Sequence, residues 1–370
     1  LALAEQAARA RPQPRRRRRA SFVLAGAAAT AALLAITPPG SAVTDWVGDR
    51  VKDVVEDDPP PRASGLEELP GGGRVLALVV PRGRDGVEPW IAGGAEPRRL
   101  SGAVDRATWS PHARFVAAAR GSELFALGLD GERRWSVAAP GPVHEVEWSP
   151  DGFRVAYQAG AELRVVAGDG TGDRRVSAMP PGEPPAFGDL AWRPGPGHVL
   201  AFTKRRSLFL ADLDLRRVLW RITVDDVPRL TFAPGGDRLL LSGPDGLRVL
   251  SARDGRLLQA LDRPSGMELV DAAWDRSGER FAVVRKNARR AEVLIARPRG
   301  RTIRLRRAFA AAELDVVGFS PDNRWLLVDW TETGTWLFLP VEGGRARQIT
   351  DVRGRFGARH VIAESWCCPP

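Results

Sequence analysis

The chain is poor in the side chains that carry most enzyme chemistry. Of its 370 residues, two are cysteine, four histidine and one tyrosine, and three of the 55 basic residues are lysine. The cysteines, Cys367 and Cys368, are adjacent. Adjacency excludes a disulfide framework and a spaced set of thiolate ligands, and leaves a vicinal pair or two ordinary strand-end residues. The histidines, His112, His144, His198 and His360, stand in different segments with no His-Glu-x-x-His among them. Each reads as a turn or strand residue. The lysines, Lys52, Lys204 and Lys286, close no phosphate-binding glycine loop, and no Gly-x-Ser-x-Gly nucleophile elbow occurs. These absences lead to the expectation of a non-enzyme without cofactor or metal.

Long apolar runs are scarce too. Residues 21–37 form the one long uncharged stretch, 17 residues rich in Ala and Leu, stopped by Pro38-Pro39 and preceded by five arginines at 15–19. That length is the short end of a membrane-spanning helix, and a one-sided basic flank orients it with the arginines in the cytoplasm. An uncleaved signal anchor, a secretory signal cleaved near Gly40-Ser41-Ala42, and a buried Ala-rich helix are the competing readings. The first gives a cytoplasmic basic tail (1–20), a transmembrane helix (21–37), a juxtamembrane segment (38–71) and an extracytoplasmic domain (72–370) in the cell membrane. Within the juxtamembrane segment, Val43, Trp46, Val47, Val51, Val54 and Val55 share one helical face, and Asp45, Asp49 and Asp53 another. Residues 57–71 read as a Pro-rich linker.

What the sequence has in abundance is a repeat. Glu145 to Val155 reads Glu-Val-Glu-Trp-Ser-Pro-Asp-Gly-Phe-Arg-Val. It is an apolar strand ending in Trp148, a tight turn and a second strand. Pro150 presets φ, Asp151 can bond its own backbone, and Gly152 tolerates φ > 0. Variants centre on Trp109, Trp192, Phe232, Trp274, Phe319 and a degenerate Trp366, so successive intervals are 39, 44, 40, 42, 45 and 47 residues. A period of about 40 to 45 with several short strands per unit predicts a β-propeller. In one unit the four strands fall at 144–148 (A), 153–158 (B), 162–166 (C) and 174–177 (D). Between C and D, Gly168-Asp169-Gly170-Thr171-Gly172-Asp173 resembles a calcium loop but lacks the closing Glu, and is read as a turn.

The two ends fix the blade count. Residues 73–100 hold strands B, C and D without a preceding A strand, and residues 361–366 are an A strand with nothing after it. Together they complete one blade. The expected fold class is therefore all-β: a seven-bladed β-propeller of four-stranded blades closed by N- and C-terminal strands, preceded by one transmembrane helix. Joining first and last blades leaves no open seam in the ring.

These units resemble TolB-type and WD40-like (PD40) propeller repeats, whose motif is Trp-Ser-Pro-Asp-Gly before an apolar strand. Trp148 to Gly152 carries it in full and Phe319 to Asp322 nearly so. The Gly-His and Trp-Asp pairs of classical WD40 repeats are missing. The N-terminal layout looks like membrane-anchored envelope propellers, some similar to anti-sigma-factor-type regulators. The resemblance implies a scaffold, sensor or binding module.

Net charge is +10. An excess of Arg over Lys matches the codon use of a GC-rich genome, and one arginine run sits in the tail, so no specific nucleic-acid binding is expected. In a four-stranded blade the A–B and C–D turns share one face, here the turn face. The B–C turns and blade connections share the other, here the loop face. The loop face is expected to carry Arg82, Arg84, Arg120, Lys204, Arg205, Arg206, Arg285, Lys286, Arg289 and Arg290, joined by Arg353, Arg355 and Arg359. The candidate binding residues are Lys204, Arg205, Arg206, Arg285, Lys286, Arg289 and Arg290. Their expected partner is an acidic protein or an anionic envelope component. The expected function is a non-catalytic, membrane-anchored, extracytoplasmic binding module. The alternatives are a transmembrane regulator with the propeller as sensor, and a secreted enzyme with its site in the central channel.

Overall fold

The computed structural model describes residues 65–176, 187–224, 228–243, 246–263 and 266–367. The expected tail, membrane helix and amphipathic segment lie outside these residues. Among the described residues no helix is long and apolar enough to cross a membrane.

Seven four-stranded antiparallel sheets make up the fold. Blade I takes Arg74–Pro81, Glu88–Ala92 and Arg98–Arg99 as strands B, C and D, and its A strand is the distant Ala358–Cys367. The other six blades are contiguous. Strand A of blade III is Val143–Trp148, followed by Arg154–Ala159, Glu162–Ala167 and Arg174–Arg175. The A strands touch one another in sequence around the ring, the last of them returning to the A strand of blade II. The closure expected from the sequence is thus present.

Strand patterning follows position in the blade. Strands B and C lie between neighbouring sheets and read as continuous apolar runs; Val116, Ala117, Ala118 and Ala119 are all fully buried. Strand A alternates, one side lining the centre and the other packed. Strand D is outermost and largely exposed, as at Arg133–Ala138 and Leu257–Asp262. Adjacent sheets meet in separate apolar clusters. Trp109 sits between blades I and II, Trp148 between II and III, Trp192 between III and IV, and Phe232 between IV and V. Trp274 lies between V and VI, and Trp366 between VII and I. The aromatic period is the period of inter-blade packing.

The serine that follows three of the repeat aromatics has its own reason. Ser110, Ser149 and Ser320 are buried. Their hydroxyls accept from the backbone N–H groups of Phe115 (3.0 Å), Arg154 (2.8 Å) and Trp325 (2.9 Å), five residues on in each case. Ser149 Oγ in turn donates to Asp151 Oδ1 at 2.6 Å, and Ser320 pairs likewise with Asp322. In blade VI Asp275 takes the same place, accepting from Ser277 Oγ, Glu279 N and Arg280 Nε. The turn motif is therefore a buried clasp that satisfies the backbone where strand B begins.

Three details extend the sequence reading. Leu66 and Leu69, placed in the linker by the sequence, are buried in the cluster between blades VII and I. A single-turn helix, Val352–Arg355, precedes the closing strand, with Val352 in the same cluster. The Gly-rich stretch read as a turn is one: Gly170 N–H donates to Ala167 O and Thr171 N–H to Asp169 Oδ1. Asp173 folds back to accept from Tyr157 Oη (2.6 Å) and Arg164 Nη2 (2.6 Å), which occupies the single tyrosine structurally.

Candidate functional site

The loop-face cations separate into a group that fastens the closing strand and two clusters in blades IV and VI. Arg82 Nε donates to Ala358 O, Arg353 to the carbonyls of Thr331 and Glu332, Arg355 to Thr350 O and Arg359 to Arg84 O. These fasten loops around the closing strand. Arg84 faces Glu88 at 3.8 Å. Arg120 ends strand B of blade II and is exposed.

In blade VI, strand B (Phe281–Lys286) and strand C (Ala291–Arg299) pair Arg285 directly with Glu292. Glu292 is buried and also meets Arg290 at 2.9 Å and Arg307 at 3.6 Å. Burial works to raise its pKa, but the hydrogen bond and charge of Arg285, with Arg290 and Arg307, hold it below the usual carboxylate range. Of the four blade VI candidates, Arg285 and Arg290 therefore share a carboxylate. Lys286 and the exposed Arg289 stand beyond it. The turn carrying Arg289 is shaped by Asn287, whose Oδ1 accepts from Arg289 N and Arg290 N, both at 2.9 Å.

Beside this turn is a cleft of about 450 Å3, lined by Arg263, Gly266, Met267, Glu268, Lys286, Asn287 and Ala288. It separates the connection from blade V from the B–C turn of blade VI. Arg263 is a cation the sequence reading did not single out. It enters the face because the blade V connection places it across from Lys286.

Blade IV contributes the second cluster. Its strand B ends at Lys204 and strand C begins at Ser207, paired with it, so Arg205 and Arg206 are the whole turn. Arg205 has φ of 54°. In blades II and III the matching place is filled by Gly121 (φ 56°) and Gly160 (φ 54°). A left-handed backbone disfavours any residue with a Cβ, and two neighbouring turns show what the geometry prefers. Desolvation, then the charges of Arg205 and Arg175, push the Lys204 pKa down. Blade III's exposed Arg175 is thus part of this cluster.

The structure brings Lys204, Arg205 and Arg206 together with Arg175, and Lys286 together with Arg263 across the cleft, with Arg289 on the same turn as Lys286. On the opposite turn face it also joins histidines that the sequence scatters. His198 lies between Asp151 (3.0 Å) and Asp214 (2.6 Å), and His112 Nε2 meets Asp151 O at 3.1 Å. This is a latch across blades II to IV. Among the described residues no group of three His, Cys, Asp or Glu is placed to hold a metal ion.

No protein-family model matches the chain, and no curated protein matches it. Among solved structures it is similar to the β-propeller domain of Cps50 (Swd1) from Myceliophteria thermophila. That match has 17% identity and a TM-score of 0.57, and covers 74% of this chain and 98% of that one. It is also similar to hydrazine synthase from Kuenenia stuttgartiensis, with 12% identity and a TM-score of 0.51, over 66% of this chain and 76% of that one. At these identities the likeness extends to the fold alone: the chain is a β-propeller.

Proposed function

We propose that this propeller is a non-catalytic binding module whose loop face, across blades IV to VI, receives an acidic segment of a partner protein. The observation that carries this reading is Arg205. An exposed arginine holds a left-handed turn position that two sibling turns give to glycine. Backbone strain held at an exposed position, where two sibling turns use glycine, points to a contact that the arginine makes with a ligand. Arg175, Lys204 and Arg206 beside it, Arg263 and Lys286 lining the cleft, and Arg289 on the adjoining turn supply the matching charge. The propeller is tethered outside the cytoplasm by residues 21–37, in the manner of TolB-type envelope propellers; the uncharged run behind five arginines supports this part.

Charge reversal tests the binding reading. The variant Arg205→Glu, Arg206→Glu, Arg289→Glu should abolish salt-sensitive binding of a fluorescein-labelled acidic peptide to the propeller, measured by anisotropy. Unchanged binding would remove the loop face from the account. Protease accessibility of the propeller in intact cells tests the location.

A further inference from the structure

Blade VI departs from the repeat on its outer side. Its strand C, Ala291–Arg299, has nine residues and its strand D, Thr302–Ala311, has ten. Strand D elsewhere has between two residues, as at Arg98–Arg99, and seven, as at Arg217–Thr223. The two long strands stay paired to their tip, Arg299 with Thr302, around a turn at Gly300 and Arg301. Residues 297–307 hold six arginines and no acidic residue.

The hairpin is fastened on both sides. Gln259 Nε2, on strand D of blade V, donates to Gly300 O at 2.7 Å. Arg306 donates to Val341 O at 2.6 Å, and Arg297 pairs with Glu342 at 3.0 Å, both on the C–D turn of blade VII. Arg307 is committed to Glu292. Arg299, Arg301 and Arg304 are exposed and form no ion pair among the described residues. Rim arginines of blade II differ, since Arg133 pairs with Glu123 and Arg134 with Asp130 of their own blade.

Charge on an edge strand guards against self-pairing, and that alone would explain an arginine or two on strand D. It does not explain three extra residues in each strand, arginines on strand C and the tip, or fastening to two neighbours. Strand D is the last strand of its sheet, with no further strand paired to its outer edge among the described residues, and exposes Leu305, while the adjoining edge of blade V exposes Leu257 and Leu258. A row of backbone donors and acceptors, alternating with cations and an apolar contact, fits an extended peptide more closely than a nucleic-acid backbone, which offers no strand to pair.

We infer that the outer strand of blade VI is a docking edge for an extended acidic segment of a partner protein. The segment adds as a fifth strand along Thr302–Ala311, sets carboxylates against Arg299, Arg301 and Arg304, and places apolar side chains on Leu305. This edge is separate from the loop face, so the two readings stand or fall independently.

The probe is a ten-residue peptide alternating glutamate and valine, titrated into the propeller by anisotropy with hydrogen exchange read on residues 302–311. The expected result is salt-sensitive binding, about tenfold or more slower exchange along that strand, and an affinity loss of about tenfold or more in Arg299→Glu, Arg301→Glu, Arg304→Glu. Arg205→Glu, Arg206→Glu should leave the strand's protection unchanged. Binding without protection of this strand overturns the inference. So does a single-stranded DNA of equal charge that competes better than the peptide, or protection that appears without peptide as the protein is concentrated.

Discussion

The indole nitrogen of Trp366 donates to the carbonyl of Gly72 at 2.9 Å, joining residues 294 positions apart. The bond sits where the closing strand Ala358–Cys367 runs antiparallel to Arg74–Pro81 and completes blade I. Deleting residues 358–370 would expose an edge whose Val75, Leu76, Ala77 and Val79 are fully buried. The expected result is a fall in melting temperature of roughly 10 °C or more and a broadened transition. Trp366→Ala alone should cost about 3–5 kcal/mol. Scanning calorimetry checks both, and a truncation that melts like the parent would refute closure by the terminal strand.

The turn clasp gives a second expectation. Ser149→Ala leaves the N–H of Arg154 without its side-chain acceptor in a buried place, and Ser320→Ala does the same for Trp325. Each should cost about 1–3 kcal/mol in urea unfolding. Ser136→Ala, on the exposed strand D of blade II, should stay within about 0.5 kcal/mol and serves as control.

Arg205→Gly should stabilise the protein while weakening it as a binder. Relief of the left-handed conformation contributes about 1–2 kcal/mol, and the added freedom of glycine in the unfolded chain takes back about 0.5–1 kcal/mol. The net gain is about 0.5–1 kcal/mol, with a loss of acidic-peptide affinity. A variant that is less stable would mean the side chain is anchored for folding, which contradicts its proposed role.

Asp329 ties the seam to pH. It is buried in blade VII, and its Oδ2 accepts from Ala363 N of the closing strand at 3.0 Å. Desolvation dominates and pushes its pKa up to about 7. The Ala363 hydrogen bond and Arg353 work against the rise, and Asp315 adds to it. A folded pKa above the unfolded value means the folded state binds the proton more tightly. The stability Asp329 contributes is therefore full at low pH, declines as pH rises from about 4, and is gone above about 7. His360 slopes the other way: burial, then Arg353, lowers its pKa, so protonation on acidification costs the fold. Comparing variants at each pH isolates Asp329. Asp329→Asn keeps an acceptor for Ala363 N–H and removes the slope, so its melting temperature relative to the parent should be higher at pH 8 than at pH 5. An equal difference at both would show that Asp329 does not titrate in this window.

The ring was legible because one physical need recurs at one place. An aromatic recurs in the inter-blade clusters, and in four units a hydroxyl or carboxylate (Ser110, Ser149, Asp275, Ser320) clasps the turn behind it, so Trp148-Ser149 and Phe319-Ser320 announce themselves in sequence. The closing strand was legible because Trp366 repeats the aromatic without a blade after it. The candidate face was legible only in part. That Arg285 and Arg290 share Glu292 depends on the exact pairing of two strands, and that Arg205 is strained depends on turn length to the residue. Arg263 became a neighbour of Lys286 only through the path of a blade connection. The hairpin of blade VI was hidden for a different reason: in a chain this rich in arginine, Arg297 to Arg307 reads as one more solvated stretch until its strand length is seen.

The most direct test of the binding role uses the full-length chain in its native cell, with a photo-crosslinking residue at Ala288 on the loop face or at Phe153 on the opposite face. Both positions are exposed. The account predicts that Ala288 captures a partner through an acidic segment, that Arg205→Glu, Arg206→Glu, Arg289→Glu abolishes the capture, and that Phe153 does not make it. Capture of the same partner from Phe153 alone, or capture at Ala288 that survives charge reversal undiminished, would contradict it.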